Sequence, residues 1–210
     1  MVEVLALQKK DLPIVVDVHL KAFKGYMNAA LGKQYVYAFL QWFLEDARAL
    51  AFCAHHAGRP VGYLVGAQLG YDADLNKKLL GSGVIAILTH PAIFFHPQFV
   101  RNIKSRLNLL LGKKKPQASI LFKEPEGVGI SLVGIAADPH SGIKGVGSAL
   151  MKAFMAEAKK RGYRYTRLSV YEENKIARGL YEKSGWKCLN KANGVLYYYY
   201  FLDEGATDSN

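Results

Sequence analysis

The stretch from Ser131 to Leu150 holds the residue types and spacing most ready to do chemistry. An apolar run ending at Ala137 reads as a strand, Asp138-Pro-His-Ser-Gly-Ile-Lys-Gly-Val-Gly-Ser148 as a glycine-rich loop, and the residues after it as a helix. Gly145 and Gly147 let backbone come close to a ligand, and the free amides of a helix start point outward together. With the helix dipole behind them they suit a phosphate or pyrophosphate, and Lys144 adds a cation beside that nest. The spacing is not a Walker loop, since no Gly-Lys-Ser/Thr stands at the required place. Gly142, Gly145 and Gly147 give G-x-x-G-x-G, which is not the dinucleotide fingerprint either. On its own the loop is served as well by a plain tight turn.

Other reactive side chains are sparse. His55 and His56 are adjacent on a strand and point to opposite faces, so the pair cannot converge on one metal ion, and no metal is expected. Cys53 and Cys188 are too few for a disulfide framework, lack metal-ligand spacing and read as core thiols. An acyl-cysteine route has no support.

The elements that must position the loop follow from periodicity. Val2 to Leu7 alternates as a strand. Asp11 caps a helix with Pro13 in its first turn, running to Phe23, and Lys24 to Met27 breaks the pattern. A second helix spans Lys33 to Glu45. Leu50 to His56 and Val61 to Leu69 form a hairpin around Ala57-Gly-Arg-Pro60. Residues 71–127 read as a basic, apolar helical insertion, with a helix opening at Pro97 and ending at Gly112. Beyond it come a strand to Ala137, a helix to Gly162, a strand from Tyr165 to Val170 and a helix from Asn174 to Lys183. A final hairpin joins Trp186–Leu189 to Val195–Leu202. The expected architecture is one α/β domain over 1–204: a mixed, mostly antiparallel sheet of about seven strands with helices on both faces. Residues 205–210 are expected to be a disordered tail.

Composition bounds the rest. The 210 residues are 50% hydrophobic and 21% charged, which excludes disordered and collagen-like chains. The net charge of +11 is concentrated: from Leu75 to Lys123 there is no acid, while Lys77, Lys78, Arg101, Lys104, Arg106, Lys113, Lys114, Lys115 and Lys123 are basic. A nucleic-acid binder spreads its cations over recognition elements, so no nucleic-acid partner is expected. A local patch fits a phosphorylated ligand or peripheral contact with an anionic membrane. Leu79 to Val100 contains no charged residue, yet Pro91 and Pro97 inside it argue against a membrane span. No secretory signal is visible at Met1-Val-Glu-Val, and a cytoplasmic setting is expected.

The downstream order turns the loop into a specific signal. Gly142-Ile-Lys-Gly145-Val-Gly147, followed by Asn174-Lys-Ile-Ala177-Arg-Gly-Leu180-Tyr181-Glu-Lys-Ser-Gly185-Trp186, resembles the acetyl-CoA signature of the GNAT superfamily of N-acetyltransferases. The match runs from Ile130 to Leu202, and Gly142 stands where the family has Arg or Gln. The resemblance implies acetyl-CoA as cosubstrate. Ile135, Ala136 and Ala137 would lend backbone groups to the pantetheine arm, and Ile143, Lys144, Gly145, Val146, Gly147 and Ser148 would cradle the pyrophosphate. Asn174 would bond the pantetheine end, with Ala177 in the same motif, and Tyr181 would act as general acid for the leaving thiolate. The family's frequent Glu on the preceding strand is replaced near Ser131, which leaves Glu172, Glu173, Asp72, Asp74, His140 or a water chain as the base.

The stretch His19 to Tyr37 and the insertion resemble bacterial members linked to amino-sugar and surface-polysaccharide pathways. That implies transfer of acetyl to a small-molecule primary amine by direct attack in a ternary complex, with a nucleotide- or lipid-linked amino sugar as the narrower form. The alternatives are acetylation of a protein or peptide amine, and a silent CoA-binding module on an anionic surface.

Overall fold

The computed structural model describes residues 1–89 and 124–202. Within them, β1 (Val2–Ala6), β2 (Ala49–His56), β3 (Arg59–Gln68), β4 (Gly129–Ala137), β5 (Tyr165–Tyr171), β6 (Lys187–Ala192) and β7 (Val195–Phe201) form one sheet. Its order is β1-β2-β3-β4-β5-β7-β6. The helices are α1 (Leu12–Ala22), α2 (Met27–Ala30), α3 (Lys33–Glu45), α4 (Asp72–Thr89), α5 (Val146–Lys160) and α6 (Lys175–Lys183).

The sheet is antiparallel at every junction but one. β4 and β5 run parallel and pair only over Gly129–Ser131 with Tyr165–Arg167. Beyond Ser131 the two strands part. β4 stays on β3, but its register slips: Val65 faces Gly134 and Gly66 faces Leu132, so Val133 is an extra residue. Such a bulge bends a strand and increases its twist, which turns β4 away from β5 at that point.

Each face of the sheet has its own core. On one, Leu150, Met151 and Phe154 of α5 meet Leu64, Ile130 and Leu168. On the other, Val15 and Val16 of α1 and Leu40 and Phe43 of α3 meet Cys53, Tyr63 and Val65. Helices on both faces and a seven-stranded, mostly antiparallel sheet are what the sequence pattern implies.

Three details depart from it. A short helix, α2, forms after the break at Lys24 to Met27. The insertion opens with the regular helix α4: Asp72 and Asp74 sit in its first turn, where the dipole favours acids, and Leu75 and Leu79 bury one face in the α3 core. Among the described residues no helix is long and apolar enough to cross a membrane. Cys188 is exposed rather than a core thiol, because β6 is an edge strand with little cover, whereas Cys53 is buried. The helix expected from Pro97 to Gly112 and the tail at 205–210 lie outside the described residues.

Candidate active site

The parting of β4 and β5 creates a cavity of about 260 Å3. Leu132–Ile135 line one wall, Leu168–Tyr171 the other, and Asn174, Ala177 and Tyr181 of the α6 region close one end. The first turn of α5 packs against α6, whose Ala177 and Tyr181 line this cavity. Gly145 holds φ +82°, ψ −2° ahead of α5, a left-handed conformation that a Cβ would strain. The first bond of the helix runs from the amide of Ala149 to the carbonyl of Gly145, leaving the amides of Val146, Gly147 and Ser148 ahead of it for a ligand. The amide of Ile143 is already used, donating to Ser141 Oγ at 3.3 Å. Lys144 and Ser148 are exposed, Val146 is buried, and Ile143 packs on the core. These three amides, the open edge of β4 and the helix dipole fit a long, extended ligand that ends in phosphates.

Gly147 has a packing task as well. A Cβ there would lie 3.0 Å from Leu180 Cδ2, so the glycine lets α6 pack close to α5.

The sequence-derived residues divide. Ile135, Asn174, Ala177 and Tyr181 line the cavity. Ala136 and Ala137 lie further along β4, opposite Tyr63 and Gly62, and Ala136 is buried. Asn174 caps α6: its Oδ1 accepts the amide of Ala177 at 3.1 Å, while its Nδ2 donates to Tyr26 Oη at 3.4 Å. The amide nitrogen of Asn174 keeps a second N–H with which to serve a ligand. Tyr181 is 6% exposed and packs near the rings of Trp186 and Tyr198. Burial, then the proximity of Tyr26, pushes its hydroxyl up to about 12, so it keeps its proton at neutral pH.

The expected bases lie elsewhere. Asp74 pairs with Arg48 at 2.6 Å and Glu172 with Lys191 at 2.7 Å. His140 is exposed, and neither it, Asp72 nor Glu173 lines the cavity. Ser131 meets the hydroxyl of Tyr71 instead of the cleft.

Sequence reasoning missed a second cavity of about 210 Å3. It shares Phe23, Tyr26, Val133, Gly134 and Tyr171 with the first, so the two adjoin at the bulge of β4. Its remaining walls include His19, Phe39 and Tyr63. His19 Nδ1 and the Tyr63 hydroxyl are 2.5 Å apart, and His19 Nε2 is buried without a partner among the described residues. Burial pulls the imidazole down to about 4, so it is neutral at physiological pH. The aromatic density between His19 and Tyr37 was the available signal. Sequence reasoning also missed that residues 53 and 55 share a face of β2: Cys53 and His55 gather with Asp11, whose Oδ1 is 3.3 Å from His55 Nε2.

A sheet splayed at its single parallel junction, with a helix opening on free amides against the helix that lines the gap, suits an acyl-CoA-dependent acyltransferase of mixed α/β fold. The model of the acetyltransferase (GNAT) family matches residues 16–186, and the chain belongs to that family. As a member of that family it is an N-acetyltransferase with acetyl-CoA as cosubstrate. No curated protein matches it in sequence.

Solved structures share the fold at low identity. An N-acetyltransferase from Staphylococcus aureus superposes with a TM-score of 0.60 at 14% identity, covering 97% of this chain and 99% of that one. The PaiA N-acetyltransferase of Thermoplasma acidophilum, solved with coenzyme A, gives 0.58 at 13% identity over 96% and 99% of the two chains. A ribosomal-protein-alanine N-acetyltransferase from Brucella melitensis gives 0.56 at 12% identity over 95% and 99%.

Proposed function

We propose that the protein moves the acetyl group of acetyl-CoA to the primary amine of a small molecule, by direct attack in a ternary complex. The observation that carries this reading is the junction of the two cavities at Val133, Gly134 and Tyr171: one pocket follows the splayed strands and the other approaches the same bulge from the α1 side. The second pocket, about 210 Å3, is small even for a ligand pocket, which favours a compact acceptor over a peptide.

Bound acetyl-CoA supplies the acetyl group as an activated thioester. The amides of Val146, Gly147 and Ser148 hold its pyrophosphate, the free edge of β4 from Leu132 to Ile135 receives the pantetheine arm, and Asn174 Nδ2 donates to that arm's inner end. As the amine nitrogen bonds to the carbonyl carbon, the carbon–sulfur bond breaks and Tyr181 gives its hydroxyl proton to the departing sulfur. The surplus proton on nitrogen leaves to water, and Tyr181 is reprotonated from water. The narrower expectation of a nucleotide- or lipid-linked amino sugar draws on the basic run from Lys77 to Lys123, of which only Lys77 and Lys78 are among the described residues, and the described lining of the acceptor pocket offers a diphosphate no Lys or Arg.

The test is a thermal-shift titration with acetyl-CoA, using ATP as the control for nonspecific phosphate binding, followed by an assay of thiol release with small amines and short peptides. Ligand at a hundredfold over Kd stabilises by about 2.7 kcal/mol, which gives a readable rise in Tm with acetyl-CoA and not with ATP. No shift at millimolar acetyl-CoA, or thiol release with peptides alone, overturns the reading.

A further inference from the structure

Asp11, Cys53 and His55 form a cluster of side chains that lines neither cavity and that acetyl transfer leaves unused. We propose that these three residues hold one zinc ion, which pins the start of α1 to β2.

The backbone brings the donors together from two directions. Cys53 and His55 stand two residues apart on β2, so both project from one face of the sheet. Alternation forbids His55 and His56 a common ion, but it favours one for His55 and Cys53. Asp11 arrives from above that face, at the end of the turn Lys9–Asp11 that leads into α1. Asp11, Cys53 and His55 are 5%, 0% and 8% exposed.

Their spacing fits an ion more closely than a hydrogen bond. Asp11 Oδ1 and His55 Nε2 are 3.3 Å apart. An N–H···O bond between such groups closes to about 2.7–3.0 Å. Two ligands at about 2.0 Å from a tetrahedral ion lie about 3.3 Å from each other, because the tetrahedron fixes the angle between them. The three donor atoms lie within 4.8 Å of one another. The sulfur, with its longer bond, therefore has to close by no more than roughly 1.3 Å.

The donors also have capacity to spare. The Cys53 thiol reaches only the carbonyl of its neighbour Ala54, at 3.9 Å. Asp11 Oδ2 accepts the amide of Gln8 at 3.1 Å, which aims the carboxylate, and among the described residues no Lys or Arg pairs with this acid. A doubly positive ion balances a carboxylate and a thiolate beside a neutral imidazole, so no net charge is left at the edge of the apolar core. The thiol passes its proton to water as the sulfur binds.

The donor types select the metal. Sulfur and imidazole nitrogen argue against calcium and magnesium, which take oxygen ligands. A mixed sulfur, nitrogen and oxygen set suits zinc, which is redox-inert and imposes no geometry of its own. Glu3 stands opposite His55 on β1, on the same face and exposed, where it can supply a fourth donor. Burial of the other three keeps substrate from the ion, so its role is structural. By fixing Asp11 it steadies the helix that carries His19 and Phe23 to the wall of the second cavity.

The sequence has two cysteines, and Cys188 is exposed, so Cys188→Ala leaves Cys53 as the one thiol. Cobalt(II) added to the chelator-treated Cys188→Ala chain is expected to give a thiolate-to-cobalt charge-transfer band and the strong visible bands of tetrahedral coordination. Zinc is expected to displace the cobalt at one ion per chain and to raise Tm, since it binds the folded chain in preference to the unfolded one. Cys53→Ser and Asp11→Asn in the same background are expected to weaken zinc binding at least roughly a hundredfold and to lose the rise in Tm. No cobalt uptake, cobalt bound without a thiolate band, zinc that leaves Tm level or lowers it, or equally tight zinc binding by Cys53→Ser overturns the proposal. Should either buried variant fail to fold, the cobalt spectrum and the zinc-induced Tm shift of Cys188→Ala decide it alone.

Discussion

His19 Nδ1 lies 2.5 Å from the hydroxyl of Tyr63, although the residues stand 44 apart in sequence, on α1 and β3. The contact ties the helix to the centre of the sheet beside the second cavity, between residues that are 4% and 0% exposed. A buried imidazole that makes one hydrogen bond and has its other nitrogen unpartnered among the described residues has no compensation for a positive charge.

That arrangement fixes a pH dependence of stability. The imidazole is held at about 4 in the folded chain against its ordinary 6.5. Between those values the unfolded chain binds a proton that the folded chain refuses. The stabilisation is therefore complete above about pH 6.5 and is lost as pH falls toward 4, by about 3 kcal/mol in all. Denaturant unfolding from pH 7 to 5 should show stability falling in the natural chain and nearly level in His19→Gln. Parallel slopes in the two would mean the imidazole is not kept neutral. The window above pH 5 isolates it from Asp138 and Glu172, whose carboxyls the His140 amide and Lys191 hold below the usual range.

Tyr181→Phe isolates the proton donor. The ring remains against Trp186 and Tyr198, so packing at this site is preserved. Loss of one positioned acid typically lowers turnover by about a hundredfold or more. The expected outcome is that fall in kcat with the acetyl-CoA-induced rise in Tm intact. A variant with unchanged kcat would assign the proton to water instead.

Gly145 and Gly147 separate ligand binding from packing. Gly145 adopts φ +82°, and no heavy atom lies within 4 Å of the place a Cβ would take, so its requirement is conformational. Gly145→Val is expected to cost about 1–2 kcal/mol and, by turning the amides of the next residues, to weaken acetyl-CoA binding at least roughly tenfold. Gly147→Ala meets only the side chain of Leu180, its nearest methyl at 3.0 Å, which can move. It should cost under about 1 kcal/mol and leave acetyl-CoA affinity unchanged. Titrations of both variants by isothermal calorimetry check the contrast.

What could be read from the sequence follows from the range of the forces involved. The strand–loop–helix run and the Asn174 to Trp186 motif are local patterns, with periodicity and caps within a few residues of one another, and they place Tyr181 and Asn174 in one cavity. The second cavity is made by residues from α1, α2, α3, β3, β4 and β5, and no local pattern marks which aromatics will share a wall. The bulge at Val133 is a register slip against β3, invisible in an apolar run whose faces are both covered. The packing task of Gly147 could not be read, because its contact, Leu180, comes from a different helix, far along the chain. Asp11, Cys53 and His55 escaped notice for the same reason: β2 aligns two of them, but only the fold delivers the third.

Asn174 carries two duties that a pair of substitutions can divide. Its Oδ1 caps α6 through the amide of Ala177 at 3.1 Å, and its Nδ2, donating to Tyr26 Oη at 3.4 Å, is the group able to meet the pantetheine end. Asn174→Asp keeps an oxygen for the cap and strengthens it against the helix dipole, but replaces the donor with a second acceptor. Asn174→Ala removes both. If the amide nitrogen serves the cosubstrate, Asn174→Asp retains the natural Tm without ligand and raises the KM for acetyl-CoA several-fold. Asn174→Ala shows the same rise in KM together with a loss of about 1 kcal/mol in stability. An acetyl-CoA KM that follows stability, normal in the Asp variant and raised only in the Ala variant, would reduce Asn174 to a helix cap and leave the pantetheine arm to the β4 edge.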